Sequence, residues 1–577
     1  MAPARFFRYS CLISVVLLLA CASLSAQSPI DPGKLPGQTL FYALWHGTPS
    51  TQVRQSNSLF ALWNDPQFAV ARASFVNSVE SKDQKNKPAV TREQFDQYVT
   101  LLDNPFLIGY MRRPESLAPA KGPQKKSAPP AWNGLFFIYD RSGKEDLLSK
   151  AVLQMRSVDQ DIPKVSELTV AGVSALKFER KSGTTYWAEF SKYAVSADEL
   201  SVFDQILNVA NGNSSTTTLG QLSAYQEAKP LLNGGLLEFF IAIPKADQIA
   251  ANSSGPLAAQ LALALSALKL ESIHSVAGRV SLEGAKTQLT GAILGDTSSG
   301  GFFDIWPEGQ SNPVSMGYLQ PDTVSYGESE FNLPGIYTML KRAFAPSSVA
   351  TQNPTPLEQM AEDRLGMPLP DALGLLTGEI AWIQTSPTLD DSQKLYLLGI
   401  RNKPTALKLT RTILSDQITA ERNEGDTTYL KVALHGAEGA AGVTQWNFYH
   451  LAMSPNLLLG SSKRETLQKV VAQTPTAPDP GQFKNLLTAR AQFPEKLIGF
   501  SYTDLQKLDW PGIRAKFVAE ANKASQTAKG KSSTQTNKGL LDSLAQVDPA
   551  VLHQYLHTMI GASWKDSNGV YFEEWLD

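Results

Sequence analysis

The stretch TLFYALWHGTPSTQV (residues 39–53) and the stretch TVSYGESEFNLPGIY (residues 323–337) share one pattern, a short strand that leads into a helix. Repetition at this range indicates an internal duplication, and a duplication determines the architecture before any local element is considered. The two copies are predicted to comprise residues 37–294 and 321–577, with residues 295–320 as the connector.

Four further pairs of similar segments follow in the same order along both copies. The pairs are FFIYDRSGKEDLLSKAVLQ (136–154) with YLLGIRNKPTALKLTRTIL (396–414), YWAEFSKYAVSADELSVFDQIL (186–207) with FYHLAMSPNLLLGSSKRETLQKV (448–470), GQLSAYQEAKPLLNGGLLEFFIAI (220–243) with GQFKNLLTARAQFPEKLIGFSY (481–502), and VSLEGAKTQLTG (280–291) with WKDSNGVYFEEW (564–575). Any two mixed segments align loosely, but the shared order of all the pairs favours a true duplication.

Each copy contains one polar, basic segment without a counterpart in the other copy. These segments are residues 111–132 in the first copy and residues 521–539 in the second. Both are poor in large apolar residues, so they cannot bury enough surface to offset the entropy of ordering. They are predicted to be exposed, mobile insertions.

Helical and strand patterns alternate along each copy without the regular spacing of parallel βαβ units. A hairpin turn at Asn568-Gly569 and similar turns indicate antiparallel strands. The sequence therefore predicts the α+β class. The expected architecture is two tandem related halves, each a mainly antiparallel sheet with packed helices.

The N-terminus has the pattern of a secretory signal peptide. Arg5 and Arg8 form a positive region, and CLISVVLLLA (residues 11–20) is an apolar run too short to span a bilayer comfortably. Residues 1–26 are predicted to be a signal peptide, and the protein is predicted to be exported to the periplasm or cell envelope.

The leader also contains both cysteines of the chain, Cys11 and Cys21. LLAC (residues 18–21) resembles a bacterial lipobox, although Leu19 is unusual at its place, so a lipid anchor at Cys21 is the alternative to cleavage after Ala26. Cleavage after Ala26 leaves a mature chain without disulfides or cysteine nucleophiles.

The composition excludes several classes of partner. The formal net charge is −2, so no global field attracts nucleic acid or an anionic membrane. The most apolar later run, AAQLALALSALKL (residues 258–270), has the length of a buried core helix. No transmembrane segment is expected after removal of the leader.

The blocks quoted above, with SLFALWNDPQF (residues 58–68), resemble a large uncharacterised family of exported bacterial proteins. That family carries a domain of unknown function and occurs in acidobacteria and planctomycetes. The resemblance spans nearly the whole mature chain, and it consists mostly of the spacing of apolar residues, with few residues specific to the family. It implies an exported, duplicated α+β protein, and it implies no activity and no functional residues.

One motif has the spacing of a metal site. HQYLH (residues 553–557) places His553 and His557 four residues apart, which on a helix brings both to one face. A zinc protease motif needs a glutamate after the first histidine, and this chain has Gln554. No metal ligand is predicted here, and the pair is interpreted as a feature of a helix surface.

Acidic and aromatic residues give two weaker hypotheses. The carboxylates considered as a glycosidase pair are Glu179, Glu189, Glu238, Asp390 and Asp391. Such a pair must lie about 5–10 Å apart in a cleft. Tryptophans predicted in regular elements can stack on sugars, but such residues more often fill cores; they are Trp45, Trp63, Trp187, Trp382, Trp446 and Trp564.

The sequence therefore indicates no catalytic, cofactor or metal residue. The expected function is that of an exported, non-enzymatic binding or scaffold protein of the bacterial cell envelope, with an envelope protein or polymer as its partner. The alternative is an envelope hydrolase that acts on glycan or peptide, which needs a convergent polar site in a pocket.

Overall fold

The computed structural model describes residues 30–73, 97, 99–112, 134–150, 164–180, 183–211, 217–243, 266, 268–344, 356–388, 394–435, 446–472, 477–527 and 547–577. The predicted signal peptide and Cys21 lie outside this part of the chain, as does most of the apolar run at 258–270. Every helix among the described residues is too short or too polar to cross a membrane.

The strands form one continuous antiparallel sheet of 20 strands. Helices and antiparallel strands do alternate along the chain, but the predicted architecture of two tandem halves, each with its own sheet, is wrong. The strand Lys286–Gly295 pairs with the C-terminal strand Gly569–Leu576 along nearly its full length. This pairing fuses the two sheets edge to edge.

The strands occur in the same order in both parts of the sheet, counted from each outer edge to the centre. The first part runs β4 (Lys164–Val170), β5 (Val173–Arg180), β6 (Gly183–Phe190), β7 (Tyr193–Ala197), β3 (Leu135–Asp140), β2 (Phe106–Met111), β1 (Thr39–Trp45), β8 (Leu237–Ala242), β9 (Ile273–Glu283) and β10 (Lys286–Gly295). The second part runs β14 (Ile418–Glu424), β15 (Thr427–His435), β16 (Trp446–Met453), β17 (Leu457–Ser461), β13 (Lys394–Ile400), β12 (Leu376–Gln384), β11 (Ser325–Glu330), β18 (Gly499–Asp504), β19 (Thr558–Asp566) and β20 (Gly569–Leu576).

The pairing of β10 with β20 places a local two-fold axis at the centre of the sheet. Thr290 on β10 pairs with Glu573 on β20, and this β10–β20 pairing is called the join below. These two residues lie at the same distance from the turns of their own hairpins, which are closed by the pairs Glu283–Lys286 and Asp566–Gly569. The hairpins β9–β10 and β19–β20 are therefore related by a local two-fold rotation about this residue pair.

The join replaces two sheet edges by backbone hydrogen bonds. An exposed edge strand leaves a row of unpaired N–H and C=O groups, and closure against an equivalent strand satisfies them. Packing across the join is close, because Gly291 faces Phe572 and a Cβ on Gly291 would overlap that ring. The pairing is non-local, so no local pattern in the sequence indicates it.

The main helices are numbered in chain order. They are α1 (Thr51–Ser56), α2 (Ser58–Asn64), α3 (Leu200–Ala210), α4 (Ser223–Leu232), α5 (Leu333–Phe344), α6 (Pro356–Leu365), α7 (Leu369–Gly374), α8 (Lys403–Ile413), α9 (Arg464–Val471), α10 (Lys484–Arg490), α11 (Trp510–Thr527) and α12 (Pro549–Tyr555).

The main core lies between one face of the sheet and helices α3 and α4 in the first part, and α9 and α10 in the second. Tyr42 on β1 and Tyr326 on β11 are equivalent in strand order, and both are completely buried there. Phe203 on α3 and Tyr225 on α4 pack in the same cluster as Tyr42, and Leu486 on α10 packs in the cluster of Tyr326. Because cross-strand partners share a face, these four helices all lie on the same side.

The opposite face carries α2 from the first part and α11 from the second. Trp63 of α2 packs in a cluster with Trp45, and Ile513 of α11 packs in a neighbouring cluster. Leu556 and Leu576 contact both clusters, so the two parts of the chain meet on this face near the join.

The segments predicted as insertions begin inside regular elements. Met111 ends β2 and is fully buried, and the backbone N–H of Arg112 donates to Gln38. Residues 113–132 lie outside the described residues. In the second part, helix α11 continues to Thr527, so residues 521–527 are helical. Residues 528–539 are again outside the described part.

Candidate functional site

A cleft with a volume of about 360 Å³ lies where the two parts of the chain meet. Helices α1 and α2 form one wall, and the C-terminal end of α12 forms the other. The lining residues are mostly polar: Thr51, Arg54, Gln55, Ala61, Asn64, Asp65, Pro66 and Tyr555.

The wall from α1 and α2 is held in place by Asn57, which is completely buried. Its side-chain oxygen caps α2 by accepting from the backbone N–H of Phe60 at 3.2 Å. Its Nδ2 donates to Lys286 O and to Thr287 Oγ1, both at 3.0 Å, at the start of β10. Because the nitrogen and the oxygen of this buried amide are both bonded, it fixes the orientation of α2 relative to β10. The cleft wall is thereby attached to the β9–β10 hairpin beside the join.

Asp65 connects the two walls. Its Oδ1 accepts from the backbone N–H of Gln67 at 2.7 Å and caps the 3-10 turn Pro66–Phe68. Its Oδ2 accepts from the hydroxyl of Tyr555 at 2.9 Å. This hydrogen bond to a carboxylate raises the pKa of Tyr555, so the tyrosine stays a neutral donor.

Arg54 is the cation of the cleft, and it has few partners. Its Nη2 donates to Thr51 Oγ1 at 3.3 Å. Its Nε is buried and has no hydrogen-bond acceptor among the described residues. No carboxylate of the described residues forms an ion pair with Arg54, and Asp65, the carboxylate of the cleft, is hydrogen-bonded to Tyr555. The guanidinium therefore retains donor capacity toward the cleft.

A second group of polar residues is enclosed beneath α10 in the second part. The Arg490 Nη1 and the Tyr326 hydroxyl both donate to the carboxylate of Glu328. The hydroxyls of Tyr326 and Ser315 lie 2.8 Å apart, and the Ser315 backbone N–H donates to Glu379 at 2.8 Å. These side chains form one buried network between the sheet and its helices.

Burial dominates the titration of this network. Desolvation raises the pKa of Glu328, although the Arg490 guanidinium and the Tyr326 hydroxyl oppose the shift. Desolvation and then the neighbouring Glu379 raise the pKa of Glu330. Tyr326 has a pKa well above its usual range, chiefly through burial. We interpret the network as structural, because its groups bind one another.

The first part carries a simpler counterpart. Glu238 on β8 is buried, accepts from the Tyr42 hydroxyl at 3.3 Å, and lies 3.3 Å from His46 Nε2. Glu238 pairs with Leu44, whereas Glu328 pairs with Phe500 at the equivalent position. Each part thus buries one glutamate in the same cross-strand pair, but on opposite strands of that pair.

Replacing Glu330 with glutamine is expected to stabilise the protein by about 0.5 kcal/mol near neutral pH, because Glu330 and Glu379 are like-charged cross-strand neighbours. A raised pKa in the folded state means that the contribution of Glu330 to stability is full below the ordinary glutamate pKa. That contribution is lost as the pH rises through the raised pKa.

The gain from E330Q should therefore shrink as the pH falls, and urea unfolding between about pH 4 and pH 8 measures it. Glu167→Gln, on the outer strand β4, is the control and should show no such trend. An E330Q gain that is constant with pH would show that repulsion between the two carboxylates is not its cause.

The described carboxylates considered for glycosidase chemistry, Glu179, Glu189 and Glu238, are not paired with one another. Glu179 pairs across the strands with Thr184 and Lys164, not with Glu189. Glu179 forms an ion pair with Lys177, and the Arg141 Nη1 lies 3.1 Å from Glu189 Oε2. Glu238 is buried in the core, and residues 390–391 lie outside the described part of the chain.

The two histidines do not share a helix face. Helix α12 ends at Tyr555, and Leu556 after it has extended backbone dihedrals. His557 lies beyond the helix and hydrogen-bonds through its backbone to Asp577 and Leu505. Among the described residues no group of three or more His, Cys, Asp or Glu side chains is arranged to hold a metal ion.

The tryptophans occupy different surroundings. Trp45 and Trp63 are buried in the cluster beside α2. The rings of Trp564 and Tyr571 stack with centroids 5.6 Å apart. The Trp382 ring lies against Gly327 of the neighbouring strand. Packing within the sheet and its clusters accounts for the rings of Trp45, Trp63, Trp382 and Trp564.

The sequence alone does not identify the residues of the cleft. A weak signal exists in the first copy, since Asn64-Asp65-Pro66 interrupts the helix pattern and leaves polar side chains at a helix end. Tyr555 carries no comparable signal, because it is 490 residues from Asp65 in the chain.

Comparison of the chain with models of protein families, with curated protein sequences and with solved structures finds no match. The resemblance to an exported bacterial family stays a prediction, and the functional argument depends on the site itself.

Proposed function

We propose that this chain is an exported, non-enzymatic binding protein of the bacterial cell envelope, and that the cleft between α1–α2 and α12 is its ligand site. The observation that carries the proposal is the cleft, whose lining combines an incompletely bonded guanidinium with amides and hydroxyls. A few placed polar groups in a concave site are the general features of ligand recognition.

The chemistry of the lining favours binding. Asn64 and Gln55 supply amide groups, and Thr51 supplies a hydroxyl. The one carboxylate, Asp65, is already bonded to Tyr555 and to a backbone N–H. These groups can hold and orient a ligand by hydrogen bonds.

The sheet supports a scaffold role for the same protein. Neighbouring strands lie about 4.8 Å apart, so 20 strands give a contour of roughly 90 Å. The cleft lies beside the central join, where both parts of this frame contribute to it. Binding there is supported by rigid elements on both sides.

The test uses the purified full chain and soluble fragments of enzymatically digested bacterial cell wall as the probe. Wild-type protein should show a rise in Tm with the fragments. Ala61→Phe, which fills the cleft, should abolish that rise. Ala210→Phe, at the exposed end of α3, is the matched control and should respond like wild type.

Two outcomes contradict the proposal. An Ala61→Phe variant that responds like wild type would place the ligand elsewhere. Accumulation of cleaved products from the fragments would favour the hydrolase.

In its native host the protein should be recovered from the envelope fraction without residues 1–26, or lipidated at Cys21.

A further inference from the structure

We infer that the ligand of the cleft is a small sugar-like molecule that carries one anionic group, and that Arg54 binds this group. The inference rests on the proposed function and names the chemistry of its ligand. Its first support is Arg54 itself, which lines the cleft and whose guanidinium forms one side-chain hydrogen bond and no ion pair among the described residues. An anion in the cleft would give this cation a counter-charge and charge-assisted hydrogen bonds.

The shape of a guanidinium narrows the class of anion. Arginine has a planar fork of donors that matches the two oxygens of a carboxylate or phosphate. Only one of its side-chain donors is used within the described part of the chain, by Thr51. Carboxylate and phosphate therefore share the required chemistry.

The rest of the lining requires a largely neutral, hydroxyl-bearing molecule. Asn64 uses its Nδ2 on the carbonyl of Phe60 at 2.8 Å, which leaves its side-chain oxygen as an acceptor. Asp65 repels a second anionic group and accepts from hydroxyls, because its two bonds leave lone pairs available. Charge thus orients the ligand, with its anion at Arg54 and its hydroxyls at Asp65.

The volume of the cleft limits the size of the ligand. A volume of about 360 Å³ is near the lower end of the range of ligand sites, about 300–1,000 Å³. One sugar residue with its substituents suits this volume. Tyr555 adds an aromatic side chain to the wall, and such rings pack against sugar faces.

The experiment is isothermal titration calorimetry with three probes that share one ring. N-acetylmuramic acid carries a carboxylate, N-acetylglucosamine 6-phosphate carries a phosphate, and N-acetylglucosamine is the neutral reference. At least one anionic probe is expected to bind about tenfold or more tightly than the neutral sugar. The two anionic probes distinguish a carboxylate ligand from a phosphate ligand.

Arg54→Gln should remove that preference and lower the affinity for the anionic probe about tenfold or more, without a change in Tm of the free protein. Arg401→Gln, at an exposed arginine of the second part, is the control and should bind like wild type. Arg54→Lys should lose part of the affinity, because a point charge replaces the fork.

Three results overturn the inference: equal affinity for neutral and anionic probes, no binding of any probe, or an Arg54→Gln variant that keeps the preference. In each case the Ala61→Phe test with cell-wall fragments still decides whether the cleft is a ligand site. Failure of the anion inference is thereby distinguished from failure of the proposed function.

Discussion

Thr290→Pro is expected to lower the free energy of unfolding by about 2 kcal/mol or more, because proline removes a ladder hydrogen bond inside a central strand and leaves its acceptor unpaired. Thr290 pairs with Arg279 on β9 and with Glu573 on β20, so β10 has a neighbour on both sides. Urea unfolding followed by far-UV circular dichroism measures the loss. Tryptophan fluorescence should report the same transition if the sheet unfolds as one unit.

The matched control at the same position is Thr290→Val. The Thr290 hydroxyl is buried and has no hydrogen-bond partner in the described structure. Replacing a buried, unbonded hydroxyl by a methyl group is expected to be neutral or stabilising by up to about 1 kcal/mol. If Thr290→Pro were as stable as wild type, the position of Thr290 in a hydrogen-bonded pair inside the sheet would be contradicted.

The repeated elements of the fold could be predicted because their signals are local. The stretches at Thr39 and Thr323 begin with β1 and with the segment that enters β11, and the turn at Asn568 does join β19 to β20. Apolar alternation and turn residues mark such strands in the sequence. The join could not be predicted, because strand pairing between distant segments has no local signal and depends on which edges remain open.

Buried polar residues were harder to recognise than strands. Glu238 lies within the apolar run LLEFFIAI, and such a run is typical of a strand buried on both faces. The run thus indicates its burial, but its partners Tyr42, on β1, and His46, just after β1, lie almost 200 residues earlier in the chain. The cleft likewise brings together residues that are distant in the chain, since Arg54 and Tyr555 line its opposite walls.

Arg490→Met is expected to lower the free energy of unfolding by about 3–5 kcal/mol at neutral pH, because it leaves the Glu328 carboxylate buried without its counter-ion. The side chains of Arg490 and Glu328 are only 10% and 5% exposed. The guanidinium lowers the pKa of Glu328 against the effect of burial, so its removal lets that pKa rise further. A raised folded-state pKa conserves stability at low pH, so the loss should be smaller near pH 5 than near pH 8.

The double variant Arg490→Met with Glu328→Leu should recover most of the loss, since an apolar pair of similar volume commonly replaces a buried ion pair at little cost. The fold itself supports this choice, because Leu44 occupies the position equivalent to Glu328 in the first part of the sheet. Tyr326 keeps its bond to Ser315 in the double variant. A double variant as unstable as Arg490→Met alone would show that Arg490 acts through its other bonds, to the carbonyls of Gln310 and Ser311. The coupling energy from urea unfolding of wild type, both single variants and the double variant decides between these two roles of the arginine.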